Sequence, residues 1–372
     1  MMQPVSRQEG AEPVLAVVGA RGSSWGDRLK YFSTQARLSL SWVATTAEIQ
    51  RLGGSGAAAV VLPLTSDAAM WAALRSDPAL SSTPLLGLSP EASELAFAET
   101  FARGGDDLLG LEGGDDVLAK LRALQPPPPP ETQLRTALIV SADPVWRGGA
   151  ARRLRGAGVQ VFFAEGEAEA RASLELRAPT VVVLDGAGKT DASVAMIRGL
   201  LRPETPWVLS VDPGDQGKAR EALGSAGNVA VHDAFGLADA LLFVVNELTA
   251  GSVQERRRAP RVLFGTRVWA RQAGAEREML GYSYTVSEGG LFLRSLAPFE
   301  LGAKVWVELT PPRVGRRVRL AATAVWARGF GPLGKALSPP GTGLRIDGGL
   351  PGEWELYQEG CQALLEGGGG AT

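Results

Sequence analysis

The stretch Glu255-Arg256-Arg257-Arg258-Ala259-Pro260-Arg261, answered one hairpin later by Thr285-Val286-Ser287-Glu288-Gly289-Gly290, decides how the last third of this 372-residue chain reads. Arginine carries a planar, permanently charged fork that grips a phosphate bidentately and stacks on, or hydrogen-bonds to, a purine. A nucleotide suits both habits. The second stretch sets a hydroxyl at Ser287 beside the glycines Gly289 and Gly290, a composition for a turn between two strands in which donors approach a ligand closely. On its own, Arg256 to Arg261 reads as a solvated basic linker. The turn and the strands around it reverse that reading.

Outward from these residues the pattern is one of alternation. Val262 to Phe264, Val268 to Ala270, Glu278 to Val286, Gly290 to Leu293, Lys304 to Leu309, Arg316 to Ala327 and Gly343 to Ile346 place bulky strand residues at period two, with turns at Pro311-Pro312 and Gly331-Pro332. This predicts an antiparallel sheet with one buried face, curled closed to hide its edges. Glu353 to Leu365 has helical spacing and suits a cap over the barrel mouth.

Toward the N-terminus, the prolines Pro126 to Pro130 form a semi-rigid linker that no helix continues through. The predicted units are therefore residues 12–125, a linker at 126–133, residues 134–249 and a barrel at 255–366. The first two share a rhythm of short apolar runs separated by amphipathic segments, which implies strands and helices around a parallel sheet. In the second unit the runs are Ala137 to Val140, Val159 to Phe163, Thr180 to Leu184, Trp207 to Val211 and Asn228 to Val231; in the first the clearest are Val14 to Val18, Ala58 to Leu62 and Pro84 to Leu88. The two are read as copies of one fold.

Composition bounds the function. The net charge of −2 argues against nucleic acid as a partner, which would call for a basic face over a whole domain. A single cysteine, Cys361, excludes an internal disulfide and a cysteine zinc site, and a single histidine, His232, removes histidine-rich metal sites. Met1 to Pro13 does not read as a signal peptide, and no apolar run reaches a membrane-spanning length. The expectation is a cytoplasmic protein without membrane insertion.

The last unit resembles the PilZ domain, a barrel that binds the bacterial second messenger cyclic di-GMP through Arg-x-x-x-Arg followed by Asp/Asn-x-Ser-x-x-Gly. The resemblance assigns the arginine places to Arg257 and Arg261, an adjoining arginine to Arg258, the serine to Ser287 and the closing glycine to Gly290. Thr285 stands where the family has Asp or Asn, with a shorter hydroxyl in place of an acceptor for the guanine edge. The first two units are similar to receiver domains of response regulators, most clearly in Arg103-Gly104-Gly105-Asp106-Asp107-Leu108-Leu109 and in Pro179 to Asp185. In such domains acids hold magnesium, an aspartate accepts phosphate, and a hydroxyl and a lysine assist. The first copy has Gly19-Ala20, Pro63 and Leu111 in place of that chemistry. The second keeps Asp185 as a possible phosphoacceptor with Asp143 near, but Ser141-Ala142 replace the acidic pair and Val231-His232-Asp233 offers no lysine. Asp185 also reads as a strand-end residue capping the next turn.

These resemblances imply a non-catalytic signalling adaptor without cofactor or metal, binding cyclic di-GMP through Arg257, Arg258, Arg261, Thr285, Ser287 and Gly290 and offering its receiver-like domains to protein partners. Two alternatives stand beside it: a ligand-independent interaction scaffold and a phosphoacceptor regulator acting through Asp185. Trp269, Trp306 and Trp326 suit base stacking but at strand spacing read first as core or rim residues. Arg313, Arg316, Arg317 and Arg319 read as a solvated strand face on which a partner's acidic surface could dock.

Overall fold

The computed structural model describes residues 13–19, 23–54, 57–77, 80, 83–124, 135–202, 204–224, 228–233, 238–249, 260–276, 278–330 and 338–367. The proline-rich linker, Arg257 and Arg258 lie outside these. The first unit runs β1 (Val14–Val18), α1 (Gly26–Gln35), β2 (Ser39–Val43), α2 (Thr46–Gly54), β3 (Ala59–Pro63), α3 (Ala68–Ser76), β4 (Leu85–Ser89), α4 (Glu94–Ala102), β5 (Asp107–Gly110) and α5 (Gly114–Arg122). Its strands are parallel in the order β2-β1-β3-β4-β5. That is the doubly wound order of flavodoxin-like receivers.

The second unit repeats the plan with β6 (Thr136–Val140), α6 (Pro144–Gly156), β7 (Gln160–Ala164), α7 (Glu167–Leu176), β8 (Val181–Asp185), α8 (Thr190–Leu200), β9 (Trp207–Val211), α9 (Gln216–Leu223), β10 (Val229–Asp233) and α10 (Ala238–Thr249). Its order, β7-β6-β8-β9-β10, is the same. Strands such as Val181 to Asp185 are buried throughout because helices cover both faces of the sheet. Side chains start several helices: Asp67 accepts from Ala69 N at 2.9 Å, Ser93 from Ala96 N at 3.1 Å, and Asp143 from Val145 N at 2.8 Å with Pro144 in the first turn.

The third unit comprises β11 (Val262–Leu263), β12 (Arg267–Gln272), β13 (Met279–Ser287), β14 (Gly290–Arg294), β15 (Lys304–Leu309), β16 (Val318–Arg328), β17 (Gly341–Gly349) and α11 (Glu353–Gly367). Six antiparallel strands in the order β13-β12-β15-β16-β17-β14 close into a barrel through the β13–β14 pairing, and β11 adds to β13. Inward residues Val268, Val286, Leu291, Val307, Leu320 and Leu344 form the core, and α11 contributes Tyr357 and Cys361 to it, as its expected capping role requires.

Buried polar contacts join the three units. Asp106 accepts Arg152 from α6 at 2.5 Å, while Arg294 on β14 donates to the carbonyl of Gly105 at 3.0 Å and lies 3.7 Å over the Phe101 ring. Lys120 sits 3.1 Å from both Asp107 and Asp116, with all three buried. The free oxygens of those carboxylates take barrel amides: Asp107 accepts from Leu296 N at 2.8 Å and Asp116 from Leu280 N at 3.3 Å. Burial pushes Asp116 up to about 6 against the pull of Lys120. Burial also works against the Lys120 ammonium, but Asp107 and Asp116 together hold its pKa above the ordinary lysine value. Phe97 stacks on Tyr282 of the barrel, and Phe101 packs against the same ring at a tilt. The Gly104 to Leu109 stretch therefore builds a domain junction, and the chain's own barrel packs against α4, β5 and α5 of the first unit.

Candidate functional site

The candidate site forms where β11, β13 and β14 meet. β11 pairs Val262 with Val286 and Leu263 with Thr285; one residue further in that register, Arg261 comes level with Ser287. Arg261 is exposed. Because Val286 points into the core, Thr285 and Ser287 face outward. The structure thus brings Arg261 and Ser287 together, while Arg257 and Arg258 lie outside the described residues.

Thr285 is 4% exposed, with Leu263 and Phe292 as its register partners on either side. Its small side chain is closed over by larger neighbours. Ser287 hydroxyl donates to the carbonyl of Gly290 at 3.3 Å, a long bond, and the same carbonyl accepts the Tyr357 hydroxyl at 2.8 Å. One acceptor thus serves two hydroxyls. If Ser287 turns toward a ligand, Tyr357 keeps that carbonyl paired.

Gly290, expected to admit a ligand, has another reason to be glycine. A Cβ there would stand 2.5 Å from the carbonyl oxygen of Leu344, so the bare backbone is needed where β17 crosses it. The open position is Gly289, around which nothing lies within 4 Å of a built Cβ. β17 also brings a residue that sequence reasoning missed. Arg345 pairs with Gly290 and is exposed on the outward face, held by Asp347 at 2.9 and 3.0 Å. A Thr323 hydrogen bond, aided by Arg345 and Lys304, holds Asp347 down at about 2, so it stays charged beside these cations. Only closure of the barrel joins Arg345 to the turn, and no local motif marks it.

In the second unit, Asp185 ends β8 in the register of Ser210, which is itself level with His232. Both Asp185 oxygens are engaged: one accepts the Ser141 hydroxyl at 2.7 Å and the other the amide of Ala187 at 3.2 Å. Asp143, considered as a metal-binding acid, instead caps α6. A lysine is present after all, though not on β10. Lys189 Nζ lies 3.8 Å from Asp185, one helical turn along the following loop. Ser210 hydroxyl lies 3.0 Å from His232 Nδ1, and burial pushes the imidazole down to about 4. Among the described residues no group of three acids, histidines or cysteines could hold a metal, and no helix is long and apolar enough to cross a membrane.

Residues 255–347 match the family model described as the PilZ domain. No curated protein matches the chain. Among solved structures, a Bacillus subtilis inhibitor of motility is 18% identical over 30% of this chain and 52% of its own, with a TM-score of 0.24. A response regulator in red light signalling of R. palustris is 18% identical over 30% of this chain and 90% of its own, with a TM-score of 0.24. A putative two-component system response regulator/GGDEF domain protein is 15% identical over 63% of this chain and 98% of its own, at 0.30. The chain spans about half the length of the B. subtilis protein.

Proposed function

With a PilZ domain at residues 255–347, we propose that this chain is a non-catalytic bacterial signalling adaptor that binds cyclic di-GMP on the outer face of its barrel and acts in the cytoplasm. The observation that carries this reading is the β11–β13 register, which sets Arg261 level with Ser287 beside the open turn at Gly289. Arg257, Arg258 and Arg261 would close over the ligand's phosphates and guanine faces, Ser287 would donate to a phosphate or base, and Gly289 would leave room for close approach. Arg345 adds a guanidinium to the same face.

The arginine segment follows α10, whose Phe243 lies edge-on to Tyr284 of β13, with ring centroids 6.5 Å apart. A ligand gripped by that segment therefore acts on the contact between the barrel and the second unit, and it shifts that contact by as much as it prefers one arrangement. The barrel's contacts with the first unit, unexpected from the linker's position, would be biased by the same event.

Calorimetric titration of the full chain with cyclic di-GMP tests the reading: heat and saturation are expected. Silence at high micromolar ligand removes it. A second reading, a scaffold whose barrel meets only proteins, is favoured by the burial of Thr285, which offers nothing accessible to a guanine edge. It gains from that silent result.

A further inference from the structure

The barrel carries a second charged surface, on β12, β15, β16 and the turn between the last two. Val268, Val305, Val307, Val318 and Leu320 fill the core, so Trp269, Trp306, Glu308 and Arg319 between them face outward. Arg267 and Arg317 lie 4.1 and 3.6 Å from the Trp269 ring centre. Two planar groups at that distance fit only on opposite faces, so the indole is sandwiched. Arg319 lies 5.3 Å over Trp306, which is 37% exposed, and 3.3 Å from Glu308. Glu308 is the only carboxylate on the outward positions of β12, β15 and β16 and on the turn between the last two.

These facts favour one kind of occupant. A guanidinium stacked on an indole is already confined and still presents its N–H edge, so it loses little freedom when a carboxylate docks. Arg317 and Arg319 stand two residues apart, roughly 7 Å along a strand, which is also the spacing of alternate side chains in an extended peptide. A single-stranded nucleic acid would instead need free ring faces to stack on, and those of Trp269 are taken. We propose that this face docks an extended acidic segment of a partner protein, with carboxylates at alternate positions meeting Arg317 and Arg319 and with Trp306 as the apolar contact. The site is independent of cyclic di-GMP.

The test is fluorescence polarisation of a labelled alternating Glu-Thr peptide against the full chain, with a Gln-Thr peptide and an oligo-dT of equal charge in parallel. The Glu-Thr peptide should bind, weaken with salt, and lose about tenfold or more in affinity to the Arg317→Gln/Arg319→Gln variant, while the Gln-Thr peptide should not bind. Arg317 is exposed and Arg319 half-buried, and circular dichroism checks that the variant folds as the parent does. No binding of the Glu-Thr peptide, binding indifferent to the double substitution, or equal binding of oligo-dT would each overturn the proposal, the last by making the face a general polyanion surface.

Discussion

The Arg152 guanidinium lies 2.5 Å from the Asp106 carboxylate and joins the two α/β units through a buried ion pair. Arg152 also donates to the carbonyls of Leu80 and Thr83 at 2.6 and 2.8 Å, and Asp106 accepts from Leu85 N at 2.8 Å. Each charge thus has several partners. Asp106→Ala leaves the Arg152 charge buried without its carboxylate and is expected to cost about 3 to 5 kcal/mol. Denaturant unfolding of the full chain measures this. A loss under about 1 kcal/mol, the scale of a surface pair, would contradict the assignment.

Lys120→Met tests how the barrel is held. Without the ammonium, Asp107 and Asp116 face each other, and both also carry the bonds to Leu296 N and Leu280 N. The expected cost is again about 3 to 5 kcal/mol. Hydrogen exchange should quicken at the Leu280 and Leu296 amides, and unchanged protection there would show that the barrel docks by other means.

Arg261→Ala should weaken cyclic di-GMP binding by about 2 kcal/mol, the scale for one charge-assisted hydrogen bond. Calorimetry on variant and parent chains gives the difference. Equal affinities would place the ligand away from Ser287.

His232 is the only histidine, so its imidazole resonances are unambiguous. NMR titration should give a midpoint of about 4 in the folded protein, because burial disfavours the charged ring. Between the ordinary value and about 4 the unfolded chain binds more protons than the folded one. Stability should therefore fall as pH drops through that window, by up to about 3 kcal/mol, and a His232→Gln variant should lack this slope. A midpoint near 6.5 would mean that the ring is solvated.

Acetyl phosphate with magnesium should leave no acyl phosphate at Asp185. Ser141 and Ala142 supply no metal-binding acids, and the carboxylate is occupied by the Ser141 hydroxyl and the Ala187 amide. Borohydride trapping and mass spectrometry would reveal transfer as homoserine at position 185. Finding it, with Asp185→Asn blank, would make Lys189 a working substitute for the missing lysine.

The strands that the sequence displayed best were those buried on both faces. Trp207 to Val211 matches β9, and Val14 to Val18 matches β1, because continuous apolar runs leave little choice. β2 and β5 carried weaker signals: Ser39 to Val43 alternates with serines at a half-buried edge, and Asp107 to Gly110 is short and opens on a carboxylate. In sequence, the Asp-Asp of that stretch carries only the resemblance to receiver domains. Its work as a junction depended on Arg152 and Leu296, which only tertiary structure brings near. At the candidate site, Arg261 and Ser287 were assigned by the resemblance to the PilZ motif, and the β11–β13 register sets them level. The reason for Gly290 was not, since the group that crowds it, the Leu344 carbonyl, belongs to a strand far along the chain.

The hydroxyl that Tyr357 gives to Gly290 spans 67 residues of sequence. During synthesis, the turn that follows Ser287 leaves the ribosome well before the helix that braces it. At ordinary elongation rates that interval is about 3 to 13 seconds. For that time the turn beside Ser287 stands without the hydroxyl that braces it, and its support is completed only when the closing helix has emerged.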